Sequence, residues 1–534
     1  MTEPSAIPVI DLFAGPGGLG EGFSAFSPRQ GSPRYRIALS IEMEQWAHQT
    51  LELRSFYHQF SRKNVPDEYY AHLRGEITRG ELFDAFPEAA STARNQAWKA
   101  ELGVADAAEV DRRIRRALDS AEKWVLCGGP PCQAFSVVGR SRSGGIADDD
   151  QRVYLYRQYL RILSVHEPPL FIMENVKGLL SSQVNGSEIF EQMLDDLRHP
   201  ARVTGGRASA ARYSLYSLAG RGERSSDDAP ESPGDFVVKC EDYGVPQNRH
   251  RVIILGIRED LARGEIPVLK PHPKPIAASR VLKGLPPVRS GLSRSGDGKA
   301  EWQAALFEIL DSDFMHSRRN GSDARLRDRV ARMLVGMRDF RADRGAEFIS
   351  CNPTIGYKPG WFLDSAIGGV CNHTTRPHMT PDLHRYLFAA CYARVHRRSP
   401  ELKDFPVSLY PEHSNIEDAL RKGYFDDRFR VQLANRPATT ITSHIAKDGH
   451  YFIHYDEAQC RSLTVREAAR LQTFPDNYYF CGPRTHQYRQ VGNAVPPLIA
   501  CQIAGLVAKI LKGAKDEFSD PGIAPELQPV VRYA

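Results

Sequence analysis

Residues Lys123 to Ser136 set a short apolar run, Trp124-Val125-Leu126, directly against Cys127-Gly128-Gly129-Pro130-Pro131-Cys132-Gln133-Ala134-Phe135-Ser136. The run reads as the end of a buried strand. Gly128 and Gly129 allow close backbone approach, and Pro130 and Pro131 fix consecutive φ angles. The product is a stiff turn presenting Cys132 at a strand end, where open α/β sheets keep their sites. A thiolate attacks carbon better than most side chains, so Cys132 is a candidate nucleophile. The bland alternative is a structural turn with a buried thiol.

Other stretches strengthen the first reading. Phe171-Ile172-Met173-Glu174-Asn175-Val176 is a second apolar strand, ending in a carboxyl group. In Gln247 to Gly256, alternation along a strand puts Gln247, Arg249 and Arg251 on one face. A thiol, a carboxyl group and a guanidinium at strand ends can hold a neutral pyrimidine ring on all sides.

The chain begins with another strand, Ile7 to Phe13, running into Ala14-Gly15-Pro16-Gly17-Gly18-Leu19-Gly20. A glycine-rich turn between strand and helix lets a ligand lie against the backbone. It is neither the phosphate loop ending in Gly-Lys-Ser/Thr nor the strict dinucleotide pattern, which argues against an ATPase. The strand Tyr35 to Ile41 closes at Glu42, an acid suited to both ribose hydroxyls of a nucleoside cofactor. His72 to Ile77 is expected to close a third strand, and Glu81 to Glu122 reads as helices. These patterns predict an α/β fold with a doubly wound, mostly parallel sheet.

From residue 259 the sheet rhythm is lost. Between Lys270 and Lys299 stand seven Lys or Arg against one acid, Asp297, which suits a phosphate-contacting surface. Gly139 to Gly145 is a basic, glycine- and serine-rich stretch with the composition of a lid. Residues 318–344 read as a salt-bridged helix. Lys358 to Trp361 and Asn372 to His378 read as loops lining a groove. Cys351, Cys371, His373 and His378 lack zinc spacing, so no metal is expected. Further on, Thr464 with Glu467 opens a capping-box helix, and Leu498 to about Leu511 is an apolar helix. Nine cysteines without regular spacing suit a reducing cytoplasm. No apolar run reaches the roughly 20 residues of a membrane span.

Taken together, these residues resemble the DNA (cytosine-5) methyltransferase family, of the prokaryotic restriction-modification or solitary type. The matches are Asp11 to Gly18; Gly129-Pro130-Pro131-Cys132-Gln133 with Ser136; Glu174-Asn175-Val176; Gln247, Arg249 and Arg251; Arg466-Glu467 with Arg470 to Pro475; and Gly492 to Pro497. They stand in the family's order and bracket nearly the whole chain.

The resemblance implies S-adenosylmethionine as methyl donor, with S-adenosylhomocysteine as product, and a flipped cytosine in double-stranded DNA. It implies Cys132 as nucleophile, Glu174 at the base, and Arg249 or Arg251 at the O2 edge, with Arg251 favoured for base contact and Arg249 for support. Phe13 would pack on adenine and Glu42 would hold the ribose. Gly15, Gly17, Gly18, Leu19, Met43, Pro130, Asn493 and Val495 would complete the cofactor site. The family has Asp at the third strand, where Glu76 aligns. Residues 1–258 would form the catalytic and cofactor domain, with a helical insertion near 78–122. Residues 259–433 would be the target-recognition domain, 434–515 the return segment completing the catalytic domain, and 516–534 a disordered tail. A monomer in the cytoplasm at the nucleoid, acting apart from any cognate restriction endonuclease, completes the expectation. An RNA methyltransferase acting on tRNA and a non-catalytic binding module are the alternatives.

Overall fold

The computed structural model describes residues 6–27, 34–131, 151–181, 183–184, 187–205, 211–219, 232–263, 265–293, 296–317, 322–340, 342–412, 416 and 427–512. Its centre is an eight-stranded sheet. The strands are β1 (Ile7–Leu12), β2 (Tyr35–Glu42), β3 (Ala97–Lys99), β4 (Val125–Gly128), β5 (Leu170–Val176), β6 (Tyr213–Ser217), β7 (Val237–Lys239) and β8 (His250–Arg258). Their spatial order is β3-β2-β1-β4-β5-β8-β6, with β7 also beside β8. The first five run parallel, and β8 runs antiparallel to β5, β6 and β7. Strand order reverses between β1 and β4, so the loops leaving those two strands diverge and open a crevice at their C-terminal ends.

The strands are apolar on both faces, as a sheet covered on both sides requires. Ile10, Leu12, Leu126, Phe171, Met173, Val252 and Ile254 pack one layer. Val9, Val125, Cys127, Ile172, Ile253 and Leu255 pack the other. That second layer carries helix α1 (Gly18–Ala25), which starts in the glycine-rich loop. Helix α2 (Gln45–Tyr57) follows β2, and α3 (Asp67–Arg74) follows α2.

One expected element lies elsewhere. The residues read as a third strand, His72 to Ile77, instead complete α3, its Gly75 cap (φ +78) and the turn after it. The third strand is β3, inside the stretch read as helices; the remainder of that stretch is helical, at Arg79–Ala85, Pro87–Gln96 and Ala107–Leu118. With three residues, β3 is too short to display a period.

Beyond the sheet, Trp302, Leu306, Val330, Leu334, Tyr386 and Phe388 belong to a core of their own. Ile276 to Leu282 does not join it; this stretch packs with Leu463, Phe474 and Tyr488. The helix expected in residues 318–344 spans Ser322–Met337, but its Arg329 pairs outward with Glu457 rather than along the helix. The chain then returns through α4 (Val465–Leu471), α5 (Arg484–Asn493) and α6 (Pro497–Lys512). Thr464 and Glu467 form the expected capping box on α4. Helix α6 lies on α1 so closely that a Cβ on Gly22 would come within 2.3 Å of Ala500 Cβ.

Candidate active site

Strands β4, β5 and β8 bring the first set of polar groups to one rim. In the β5/β8 register Arg251 lies opposite Val176, which puts it diagonally across from Glu174 on the same face. The Arg251 guanidinium pairs with Glu174 through Nε–Oε1 at 2.8 Å, and both side chains keep slight exposure, 11% and 12%. The other Glu174 oxygen lies against Gly129, where a Cβ would come within 2.8 Å and push the carboxyl group aside. Asn175 donates through Nδ2 to the Pro130 carbonyl at 3.2 Å, tying the Pro-Pro turn to the end of β5. Pro131 is the last described residue of that turn. Cys132, Gln133, Ser136 and the Gly139 to Gly145 stretch lie outside the described residues.

The alternation expected for Gln247, Arg249 and Arg251 is broken. Gln247 belongs to a separate short strand, Gln247–Asn248, which pairs with Ala438–Thr439. Arg249 falls between that strand and β8 and turns inward, fully buried. Its guanidinium donates to the carbonyls of Ile441 (2.7 Å), Gly492 (3.2 Å) and Ala494 (2.7 Å). Burial pushes its pKa down from the usual arginine range. Gln247 joins the same layer, donating to Leu471 O and to Gln472 Oε1. Arg249 is thus tied to buried carbonyls, whereas Arg251 stands at the rim beside Glu174.

The second set surrounds the loop after β1. Phe13 adopts φ +54, a costly conformation for a bulky residue, with its ring half-buried. Gly17 takes φ +90 as the N-cap of α1, and a Cβ there would press on Leu51 Cδ2 at 2.7 Å and Tyr478 OH at 2.9 Å. A Cβ on Gly18 would meet the Val495 carbonyl at 2.1 Å. A Cβ on Gly15 would meet nothing within 4 Å, so that side of the loop is open. Glu42 ends β2 and accepts from Gly15 N and Glu44 N, both at 2.8 Å. Burial raises the pKa of its carboxyl group above the ordinary value, against those hydrogen bonds. Met43 is 54% exposed beside it. Asn493 is exposed, Val495 is buried under Gly18, and Leu19 faces the core, so Leu19 can offer a ligand only its backbone. The open loop, the half-buried aromatic ring and the acid at the end of β2 fit a nucleoside-bearing cofactor such as S-adenosylmethionine.

Glu76 takes no part in this cleft. It sits in the turn after α3, 54% exposed, paired with Arg74 at 2.7 Å. Two residues past β3 stands Glu101, next to Ala100, whose N–H donates to the Glu42 carbonyl; the Glu101 carbonyl starts the next turn by accepting from Val104 N and Ala105 N. A three-residue strand hid this position from pattern reading.

Beneath the loop, Asp11 is buried beside Cys127 on the neighbouring strand. Burial pushes its pKa up to about 7. An acid inside an otherwise apolar strand is the sequence signal of Asp11.

Two other expectations need revision. In the basic stretch, Lys274, Arg280 and Lys283 are exposed, but Arg289 is buried and pairs with Asp297 at 2.8 Å. Asn372, His373 and His378 do not line a groove. They are buried, with His373 bonded to Thr464 Oγ1 (2.8 Å) and Pro286 O (2.9 Å).

With this geometry in hand, comparison with known proteins is direct. A family model described as "C-5 cytosine-specific DNA methylase" matches residues 91–200, 236–329 and 372–509. Type II methyltransferase M.Bpa9945I of Bacillus paralicheniformis is 31% identical over 526 residues, covering 95% of this chain and 99% of that protein. Type II methyltransferase M.AgeI of Thalassovita gelatinovora is 26% identical over 524 residues, covering 93% and 97%. Among solved structures, a putative DNA modification methyltransferase encoded within an E. coli prophage aligns with TM-score 0.49 and 18% identity, over 95% of this chain and 100% of that one.

Proposed function

Because this chain belongs to the C-5 cytosine-specific DNA methylase family and transfers methyl groups from S-adenosylmethionine to C5 of cytosine in double-stranded DNA, we propose that it works through a covalent bond between Cys132 and C6 of a flipped-out base. The observation that carries this reading is the Glu174–Arg251 pair, held against Gly129 three residues before Cys132.

Cytosine C5 is a poor nucleophile. Addition of the Cys132 thiolate at C6 turns the ring into an enamine, and C5 becomes nucleophilic. Glu174 faces N3 and the exocyclic amine, where a carboxylic proton or a strong hydrogen bond absorbs the charge developing in the ring. Arg251 fixes Glu174 through Oε1 and turns its remaining N–H groups to the O2 edge. S-adenosylmethionine supplies an electrophilic methyl group. Loss of the C5 proton and expulsion of Cys132 restore the aromatic ring. The target atom is out of reach inside a duplex, so the base leaves the stack.

In the cofactor cleft Phe13 packs on adenine and Glu42 takes the ribose hydroxyls. Glu101, two residues past β3, takes the adenine contact expected of Glu76. Residues 259–433 read the DNA, and 434–515 return to close the catalytic domain behind Arg249. The enzyme acts as a monomer at the nucleoid, apart from any cognate restriction endonuclease.

The test is tritiated-methyl transfer to duplex DNA and to tRNA, with wild type and Cys132→Ser. Label is expected in duplex DNA as 5-methylcytosine, with none in tRNA and none above background for the variant. Methylation retained by Cys132→Ser would remove the covalent route.

A further inference from the structure

We propose that Tyr478 is a positioning residue for the cofactor loop, acting through the carbonyl of Pro16. Tyr478 follows α4 in the return segment and is 1% exposed. Its hydroxyl donates to Pro16 O, across 462 residues of chain. The Pro16–Gly17 peptide stands at the apex of the loop, between open Gly15 and the first turn of α1. Gly17 N donates to Ala14 O at 2.9 Å, and Gly17 O accepts from Glu21 N at 2.8 Å. Gly17 is the left-handed residue of that turn, and glycine crosses between backbone conformations cheaply. The Tyr478 hydroxyl therefore bonds the peptide whose rotation would swing the Gly17 N–H off the Ala14 carbonyl and loosen the turn that leads into α1.

The clamp is itself rigid. Arg54 of α2 lies over the Tyr478 ring at 4.9 Å and over the Tyr57 ring at 4.0 Å. Its guanidinium grips Glu21 of α1 with bonds of 2.6 and 2.8 Å, and donates to Asn477 Oδ1 at 3.1 Å. The peptide before α1 and an acid in its first turn are thus fixed by one cluster. On the recognition side, Asp364 accepts from Asn477 at 2.8 Å, and within the return segment Arg466 donates to the Tyr478 carbonyl at 2.7 Å. A cluster with these ties sets the loop from the half of the chain that the loop's own sequence does not contain. The predicted consequence is specific: removing the hydroxyl loosens the loop toward the cofactor and leaves the base-handling rim alone.

The experiment compares Tyr478→Phe with Tyr488→Phe. The Tyr488 hydroxyl makes the same kind of buried bond, to Leu463 O at 2.6 Å, but within the return segment. Each variant loses one buried hydroxyl–carbonyl bond, so the cost to melting temperature should be similar and small. Binding of S-adenosylhomocysteine is read by calorimetry on each purified protein, beside steady-state kinetics on duplex DNA. Tyr478→Phe should weaken S-adenosylhomocysteine about tenfold, the worth of one buried hydrogen bond. Its KM for S-adenosylmethionine should rise in step, with kcat at saturating cofactor and KM for DNA within twofold of wild type. Tyr488→Phe should bind the product as wild type does. Wild-type product affinity in Tyr478→Phe, or an equal loss in both variants, would make Tyr478 merely structural and overturn the proposal.

Discussion

The rim where β4 and β5 end and β8 begins, and the return segment behind it, both carry charged groups, and they hold them differently. In the return segment, Arg461, Arg466 and Arg470 are 1%, 0% and 0% exposed. Arg461 and Arg470 pair with Glu467 and Asp476, both at 2.6 Å, and Arg466 caps the carbonyls of Cys371, Pro475 and Tyr478. Arg249 is as deeply buried, with both terminal nitrogens on carbonyls and its Nε without a partner among the described residues. Arg251, in the next strand position but one, keeps contact with solvent together with Glu174. Charges buried among fixed partners hold the chain in place. Charges left at a rim keep contact with solvent, and on the proposed mechanism that difference separates Arg251, which would meet the base, from Arg249, which would not.

That comparison is most exposed to failure at Glu174. Glu174→Gln should fold, bind cofactor and bind duplex, yet transfer methyl roughly 100-fold or more slowly in single turnover. Such a loss corresponds to about 2.7 kcal/mol in the transition state. A variant melting many degrees lower, with transfer within threefold of wild type, would move Glu174 to the scaffold class.

Arg249→Met should do the reverse. Removing three buried carbonyl partners should cost about 2 to 3 kcal/mol of unfolding free energy, read as a lower urea midpoint. Rate per folded molecule should stay within about fivefold, since a scaffold charge contributes little of the roughly 100-fold expected of a placed acid or base. A large rate loss at unchanged stability would merge the two classes.

Asp11 sharpens the comparison with a pH dependence. The unfolded chain ionises it near 3.8, while burial in the folded protein holds it at about 7. Its contribution to stability is whole below pH 4 and declines as pH rises through 7. Asp11→Asn removes that decline. Between pH 5 and pH 7 the unfolding free energy of the variant relative to wild type should shift in the variant's favour by about 2 kcal/mol. A difference constant across that range would show Asp11 ionised in the fold.

The smallest effect belongs to the outer surface. Changing Lys274, Arg280 and Lys283 to Ala should weaken all duplexes alike and lower the salt slope by roughly 1 unit per lost phosphate contact. An altered target sequence with an unchanged slope would assign these side chains to base reading.

Much of this arrangement was legible in the sequence, for identifiable reasons. β1, β2 and β5 are apolar runs bounded by glycine or an acid, and the Thr464 capping box is a local signal. β3 was hidden because three residues show no period and helices flank it. Alternation alone does not distinguish Arg249 from Arg251, and only the family resemblance favours Arg251 for the base, because the Arg249 partners Ile441 and Ala494 lie 192 and 245 residues away. Tyr478 is invisible as a cofactor-loop residue for the same reason. Motifs in sequence report which groups gather at a site; distant carbonyls decide which of them are left free there.

The most direct test is a covalent trap on a duplex carrying 5-fluorocytosine at the target, because fluorine at C5 cannot leave as a proton does. With S-adenosylmethionine present, the wild type should give a stable protein–DNA adduct whose peptide map ends at Cys132. Cys132→Ser should give none while still binding the duplex. An equal adduct yield from Cys132→Ser, or an adduct mapped to another residue, would contradict the account.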